Sequence, residues 1–198
     1  MSSEDKIHLL ARIARMKGGD VEPPLSQRFN DAESILSLAA ASYGAKPADD
    51  ATVPTGFDPV AVALFESIVE GAYLVASADG VVDDEERRTL ERVVTAACGG
   101  AVAPKHVAQL IEELASWLQE DGLERRIEAI ATQITRKSHA REVLRIAALL
   151  GQASEDVSEV ERDVLVRIAT ACGLQPKDVD VALREVSESL ASAAAVKG

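Results

Sequence analysis

Residues Ser77–Glu86 read SADGVVDDEE and put five carboxylates into ten positions, directly after a long apolar run. A hard cation takes several oxygen ligands at short range, and Asp79, Asp83, Asp84 and Glu86 offer enough of them. Gly80 lets the backbone turn sharply between them. The same residues also make an ordinary helix junction. Gly80 can close one helix in a left-handed conformation, and Asp83 with Glu86 spells a capping box for the next. Asp84 and Glu85 then suit the positive end of that helix's dipole. Both readings stand on the sequence, and Asp79 is the residue the junction leaves over. An EF-hand is the wrong form for such a site. With Gly80 at loop position 6, Glu86 falls at position 12, but position 1 is Val75 where a primary aspartate ligand belongs.

Other chemistry is sparse. His8, His106 and His139 are scattered, with no paired E-x-x-H for a di-iron bundle and no H-E-x-x-H. Cys98 and Cys172 are too few for a thiolate zinc site or a disulfide framework, and each sits beside a glycine near a helix end. They read as buried reduced thiols in a cytoplasmic protein. There is no Gly-rich phosphate loop and no G-x-S-x-G, so no catalytic constellation is expected. Glu66 and Glu70 lie one turn apart and read first as a solvated stripe, second as part of the acidic cluster. Trp117 reads as a core residue or an interface anchor.

The elements that must position these residues are helices. A short amphipathic helix over residues 4–17 buries Ile7, Leu10, Ala11 and Ala14 and is locally basic through Lys6, Arg12, Arg15 and Lys17. A second starts at Asn30, with Glu33 completing a capping box, and stops at Gly44. The stretch AKPADDATVPTG reads as a linker and sets the domain boundary at residue 57. Seven helices follow. Asp58-Pro59 opens one to Val75, and Asp83 caps one to Cys98. Pro104 opens one through Leu118, closed at Asp121-Gly122, and Leu123 begins one to Lys137. Ser138 caps one to Gly151. Ser158 with Glu161 caps one ending before Gly173, and Pro176 opens the last, to at least Leu190. No segment alternates with period two for long enough to be a strand.

The order repeats. Shifted by 75 residues, VVDDEERRTLERVV lies over VSEVERDVLVRIA, so that Asp83 meets Ser158, Glu86 meets Glu161 and Leu90 meets Leu165. An acidic turn thus occurs twice, at 77–86 and 152–161.

The stretches ASADGVVDDEERRTLERVV and EDVSEVERDVLVRIATACGLQPKDV resemble the tellurite-resistance TerB-like family, which includes the N-terminal domain of the DjlA co-chaperones. The likeness spans roughly residues 59–190. It implies an all-α fold of seven helices and a metal-binding surface built from acidic residues of both halves. The matching positions are Asp79, Glu86 and Glu161. Where the family's second copy has Asp-Gly this chain has Ser154-Glu155, so Glu155 and Asp156 would have to substitute.

Composition narrows the partners. The net charge of −12 repels phosphate backbones, and no basic stripe with aromatics offsets it, so nucleic acid is not expected. The longest apolar stretch contains Glu66 and Glu70, which a single membrane span would not tolerate cheaply. The N-terminus lacks the uncharged apolar region of a secretory signal. The expected architecture is all-α: a seven-helix bundle with a pseudo-twofold internal repeat over 58–198, after an N-terminal helical extension over 1–57. The expected function is a non-enzymatic, cytoplasmic, metal-binding and stress-response module. Asp79, Asp83, Glu86, Glu155, Asp156 and Glu161 would gather about a divalent cation, with calcium, zinc and manganese as the candidates. The alternative is a metal-independent interaction or scaffold module that uses a helical groove or the basic N-terminal helix, the latter against an acidic protein partner, a membrane surface or the protein's own acidic domain; the plainer reading of that helix is that it packs on the bundle. The oligomeric state is not fixed by the sequence.

Overall fold

The computed structural model describes residues 3–16, 35–45, 58–80, 82–151 and 157–195. The described residues are all-α, with no strand among them. Their helices are α1 (Ser3–Ala14), α2 (Ile35–Gly44), α3 (Pro59–Ala76), α4 (Asp84–Ala97), α5 (Pro104–Asp121), α6 (Leu123–Gln133), α7 (Lys137–Gly151), α8 (Glu159–Ala171) and α9 (Pro176–Ala195).

The local signals act as their chemistry requires. Asp58 accepts a hydrogen bond from the Val60 amide at 2.9 Å, with Pro59 in the first turn of α3. Asp83 and Ser158 sit in nearly the same extended conformation, φ −74° and ψ 172° against φ −68° and ψ 166°, and each closes a capping box with the glutamate three residues on. Gly122, at φ 79°, ends α5 and starts α6 in one residue, a conformation that favours glycine.

Four boundaries differ from the sequence reading. The first helix ends at Ala14 rather than Lys17. Gly80 does not close α3: the helix stops at Ala76, Ser77 is its C-cap, and Gly80 follows three residues later at φ 153°. Ser138 caps nothing, because it lies inside α7. Helix α6 stops at Gln133, where Ile134 turns extended (φ −95°, ψ 89°) and buries its own side chain. Asn30, Glu33 and the linker at 46–57 lie outside the described residues.

Helices α3 and α7 form the central pair, and the other helices pack around them. Both are apolar enough to be covered on every side: α3 buries Val62 and most of Leu64–Val75, and α7 buries residues 142–151 without a gap. They approach closely at Gly71, where a Cβ would stand 2.9 Å from Val143 Cγ1. By length and composition α3 could cross a membrane, but 67% of that stretch is buried inside the protein. The core is continuous and includes the N-terminal helices. Ile7, Leu10 and Ile13 of α1 and Leu36, Ala39 and Ala40 of α2 are buried in it, with α1 against α4, α7 and α9 and α2 against α3. The apolar face of α1 is therefore committed to the core.

Candidate acidic cleft

The two capping boxes line one cleft. A cleft of about 570 Å³ opens between the end of α3, the start of α4, the end of α7 and the start of α8. Asp79, Asp83, Glu85 and Glu86 line it from the first turn, and Ser158 and Glu161 from the second. Gly151, the last residue of α7, sits where the end of α3 and the start of α8 approach. A Cβ there would lie 3.1 Å from Val75 Cγ1 and 3.8 Å from Glu161 Oε1, so the missing side chain lets the second turn sit close against α3. Helix α1 supplies a further wall through Ser3, Lys6, Ile7 and Leu10. Leu90 and Leu150 are apolar contributions from α4 and α7.

Of the expected ligands, Asp79, Asp83, Glu86 and Glu161 line this one cleft, while Glu155 and Asp156 lie outside the described residues. Part of their capacity is already in use. Asp83 Oδ1 accepts from the Glu85 and Glu86 amides at 2.7 and 2.9 Å. Glu86 Oε2 accepts from the Asp83 amide at 2.9 Å, and Glu161 Oε2 from the Ser158 amide at 2.7 Å. Asp79 takes no part in either cap. Among the described residues, no three His, Cys, Asp or Glu side chains stand together as a metal-holding group. Among the described residues, the donors lining the cleft are carboxylate and hydroxyl oxygens with neither imidazole nor thiolate, a set that suits hard cations such as calcium or manganese better than zinc.

Sequence reasoning missed two polar clusters. Glu70 is not solvated: it is 6% exposed and accepts from Arg126 Nε at 2.6 Å. Arg126 also reaches Asp121 at 3.1 Å and lies 4.8 Å over the Trp117 ring. Burial pushes the Glu70 carboxyl up, and the hydrogen bond and charge of Arg126 only partly oppose it. Burial works against the Arg126 cation, but Glu70 and Asp121 outweigh it and hold its pKa above the ordinary arginine value. The pair is thus pulled two ways, and for Glu70 the direction is set by its depth: Arg126, at 14% side-chain exposure, is closer to water. Tyr43 packs its ring on Phe65 nearby, and burial, then Glu66 and Glu113, push its hydroxyl up to about 12.

The second cluster is Glu142 with Arg145, 3% and 6% exposed. Arg145 donates to both carboxylate oxygens of Glu142, at 2.8 and 2.9 Å, and to the carbonyls of Ile13 and Ala14 at 3.2 and 3.1 Å. It thereby satisfies the open end of α1. A charged pair three residues apart inside EVLRIAALLG was the available signal, since an otherwise apolar helix has no other reason to hold one. The wall formed by Lys6 had its signal in the local basicity of residues 4–17. The cysteines behave as inert thiols: Cys98 is buried and pushed up to about 12 by that burial, and burial also raises half-buried Cys172.

No curated protein and no solved structure gives a match to this chain. The family model described as tellurite resistance protein TerB matches residues 66–184. That span starts inside α3, ends inside α9 and carries both capping boxes with the carboxylates they aim at the cleft. It is more than half of the 198 residues, and the chain belongs to the TerB tellurite resistance family.

Proposed function

We propose that the acidic cleft binds a hard divalent cation, calcium or manganese, and that the protein is a non-enzymatic, cytoplasmic, stress-response module of the tellurite-resistance type. The observation that carries this reading is convergence. Carboxylates from two turns far apart in the chain, Asp79, Asp83 and Glu86 on one side and Glu161 on the other, line a single cleft. Like charges brought together in one concavity repel, and a cation relieves that repulsion. Calorimetry with calcium, manganese and zinc tests it. Saturable binding of the first two, lost in an Asp79→Ala/Glu86→Ala variant that still folds, is expected. No saturable binding, or equal binding by that variant, would end the cation reading.

A second reading is favoured by a different observation: among the described residues, no three His, Cys, Asp or Glu side chains stand together as a metal-holding set. In that case the cleft, with Leu90 and Leu150 behind the carboxylates, receives a basic segment of a protein partner without metal. Chelator-resistant capture of one defined partner, lost on Asp79→Ala/Glu86→Ala, would support it.

A further inference from the structure

Among the described residues, one cation lines the cleft: Lys6, together with Asp79, Asp83, Glu85, Glu86 and Glu161. It comes from α1, which lies outside the span that defines the family, residues 66–184. The helix that carries Lys6 is tied at both ends. Its first turn is paired to α4 through Glu4 and Arg92, and its last carbonyls are held by buried Arg145. Between those ties, Lys6 and Ile7 line the cleft.

We propose that α1 is a built-in occupant of the acidic cleft, with Lys6 as a resident counter-charge that competes with the incoming cation. The inference rests on the cation reading above. An ammonium in a carboxylate-lined cleft lowers the repulsion that would otherwise draw in a divalent ion, and its own charge repels that ion. Coulomb repulsion between a lysine and a divalent ion sharing one partly solvated cleft amounts to about tenfold in affinity at low salt, and less as salt screens it. Cation entry and loosening of α1 are then linked, and each favours the other by the same factor. The caps of α4 and α8 do not pass through α1, so this linkage leaves them intact.

The test uses the full chain, with calcium chloride as the probe. Three proteins are compared by calorimetry and by amide exchange across residues 3–14: the natural sequence, Lys6→Gln, and Lys6→Arg as the conservative rescue. Lys6→Gln is expected to bind calcium about tenfold more tightly at low salt, with Lys6→Arg close to the natural protein. Saturating calcium is expected to speed exchange across α1 in the natural protein. If calcium binds but Lys6→Gln leaves the affinity unchanged or weakens it, the competition is wrong and the cation reading stands. If neither the natural protein nor Lys6→Gln binds calcium, both fall. Exchange across α1 that is indifferent to calcium, despite tight binding, also overturns the proposal.

Discussion

Replacing Arg145 with methionine isolates what holds α1 to the central helices. The substitution keeps an unbranched stem of similar volume but removes all four hydrogen bonds of the guanidinium. Glu142, 3% exposed, then loses its counter-charge, and the carbonyls of Ile13 and Ala14 lose their donor. Breaking one partner of a buried pair costs about 3–5 kcal/mol, most of it the penalty of the charge left behind. The carbonyl losses belong to the same guanidinium and fall inside that range, so about 4 kcal/mol is expected by urea unfolding. For a chain of this length the melting temperature should fall by on the order of 10 °C. The double variant Glu142→Met/Arg145→Met removes the stranded charge as well and should recover about half the loss or more, since a buried pair exchanged for apolar groups is often near neutral. What remains belongs to the end of α1, and amide exchange there should accelerate before exchange in α3 or α7. A single variant within about 1 kcal/mol of the natural protein would refute the reasoning, as would a double variant no more stable than the single.

Three further outcomes follow from the packing and the caps. Glu70 has its carboxyl pushed up by burial, so the folded state holds that proton more tightly than the unfolded chain. Its contribution to stability is complete below the ordinary value of 4.5 and is lost as pH rises through the raised folded value. Glu70→Gln should therefore flatten the decline of stability with rising pH in that window, measured by urea unfolding at stepped pH, and an unchanged slope would contradict it. Gly44→Ala places a Cβ 1.8 Å from the Ala101 carbonyl oxygen, so α2 must lift from the loop before α5, at a cost of about 1–3 kcal/mol in a thermal melt. Asp83→Ala removes the side-chain acceptor of the α4 cap and should cost about 1 kcal/mol, whereas Asp79→Asn, outside both caps, should leave stability within about 0.5 kcal/mol.

What the sequence made legible is what depends on near neighbours. The D-x-x-E and S-x-x-E boxes, the prolines at helix starts and the apolar runs of α3 and α7 each carry their reason within four residues, and the structure realises them. Glu70 was misread because its partner Arg126 is 56 residues away; three- and four-residue spacing offered only Glu66 as a companion. Arg145 answers carbonyls 132 and 131 residues earlier, which no local pattern encodes. Ser138 is a good capping residue by type, but Ile134 buries its side chain and breaks the chain earlier, so tertiary packing overrode a local preference. The sequence itself carries two acidic turns, at 77–86 and 152–161. Their convergence on one cleft, and the arrival of Lys6 beside them, depended on how α1, α3, α7 and α8 pack.

The cleft's chemistry turns on a competition between those caps and its charge. Two helix N-termini, those of α4 and α8, open at it, and each brings the equivalent of roughly half a positive charge. Asp83, Glu86 and Glu161 answer those dipoles and the free amides of the first turns, so part of the acidity is consumed by the helices themselves. Replacing any of the three changes helix stability and cleft charge together, and a lost ligand could then be a frayed cap. Asp79 is different. It lines the cleft and belongs to neither box, so Asp79→Asn lowers the cleft's charge by one while both caps keep their hydrogen bonds. Calcium affinity that falls in this variant, with an unchanged unfolding free energy, assigns the effect to the field in the cleft. Affinity that holds steady assigns the carboxylates to the helix ends alone.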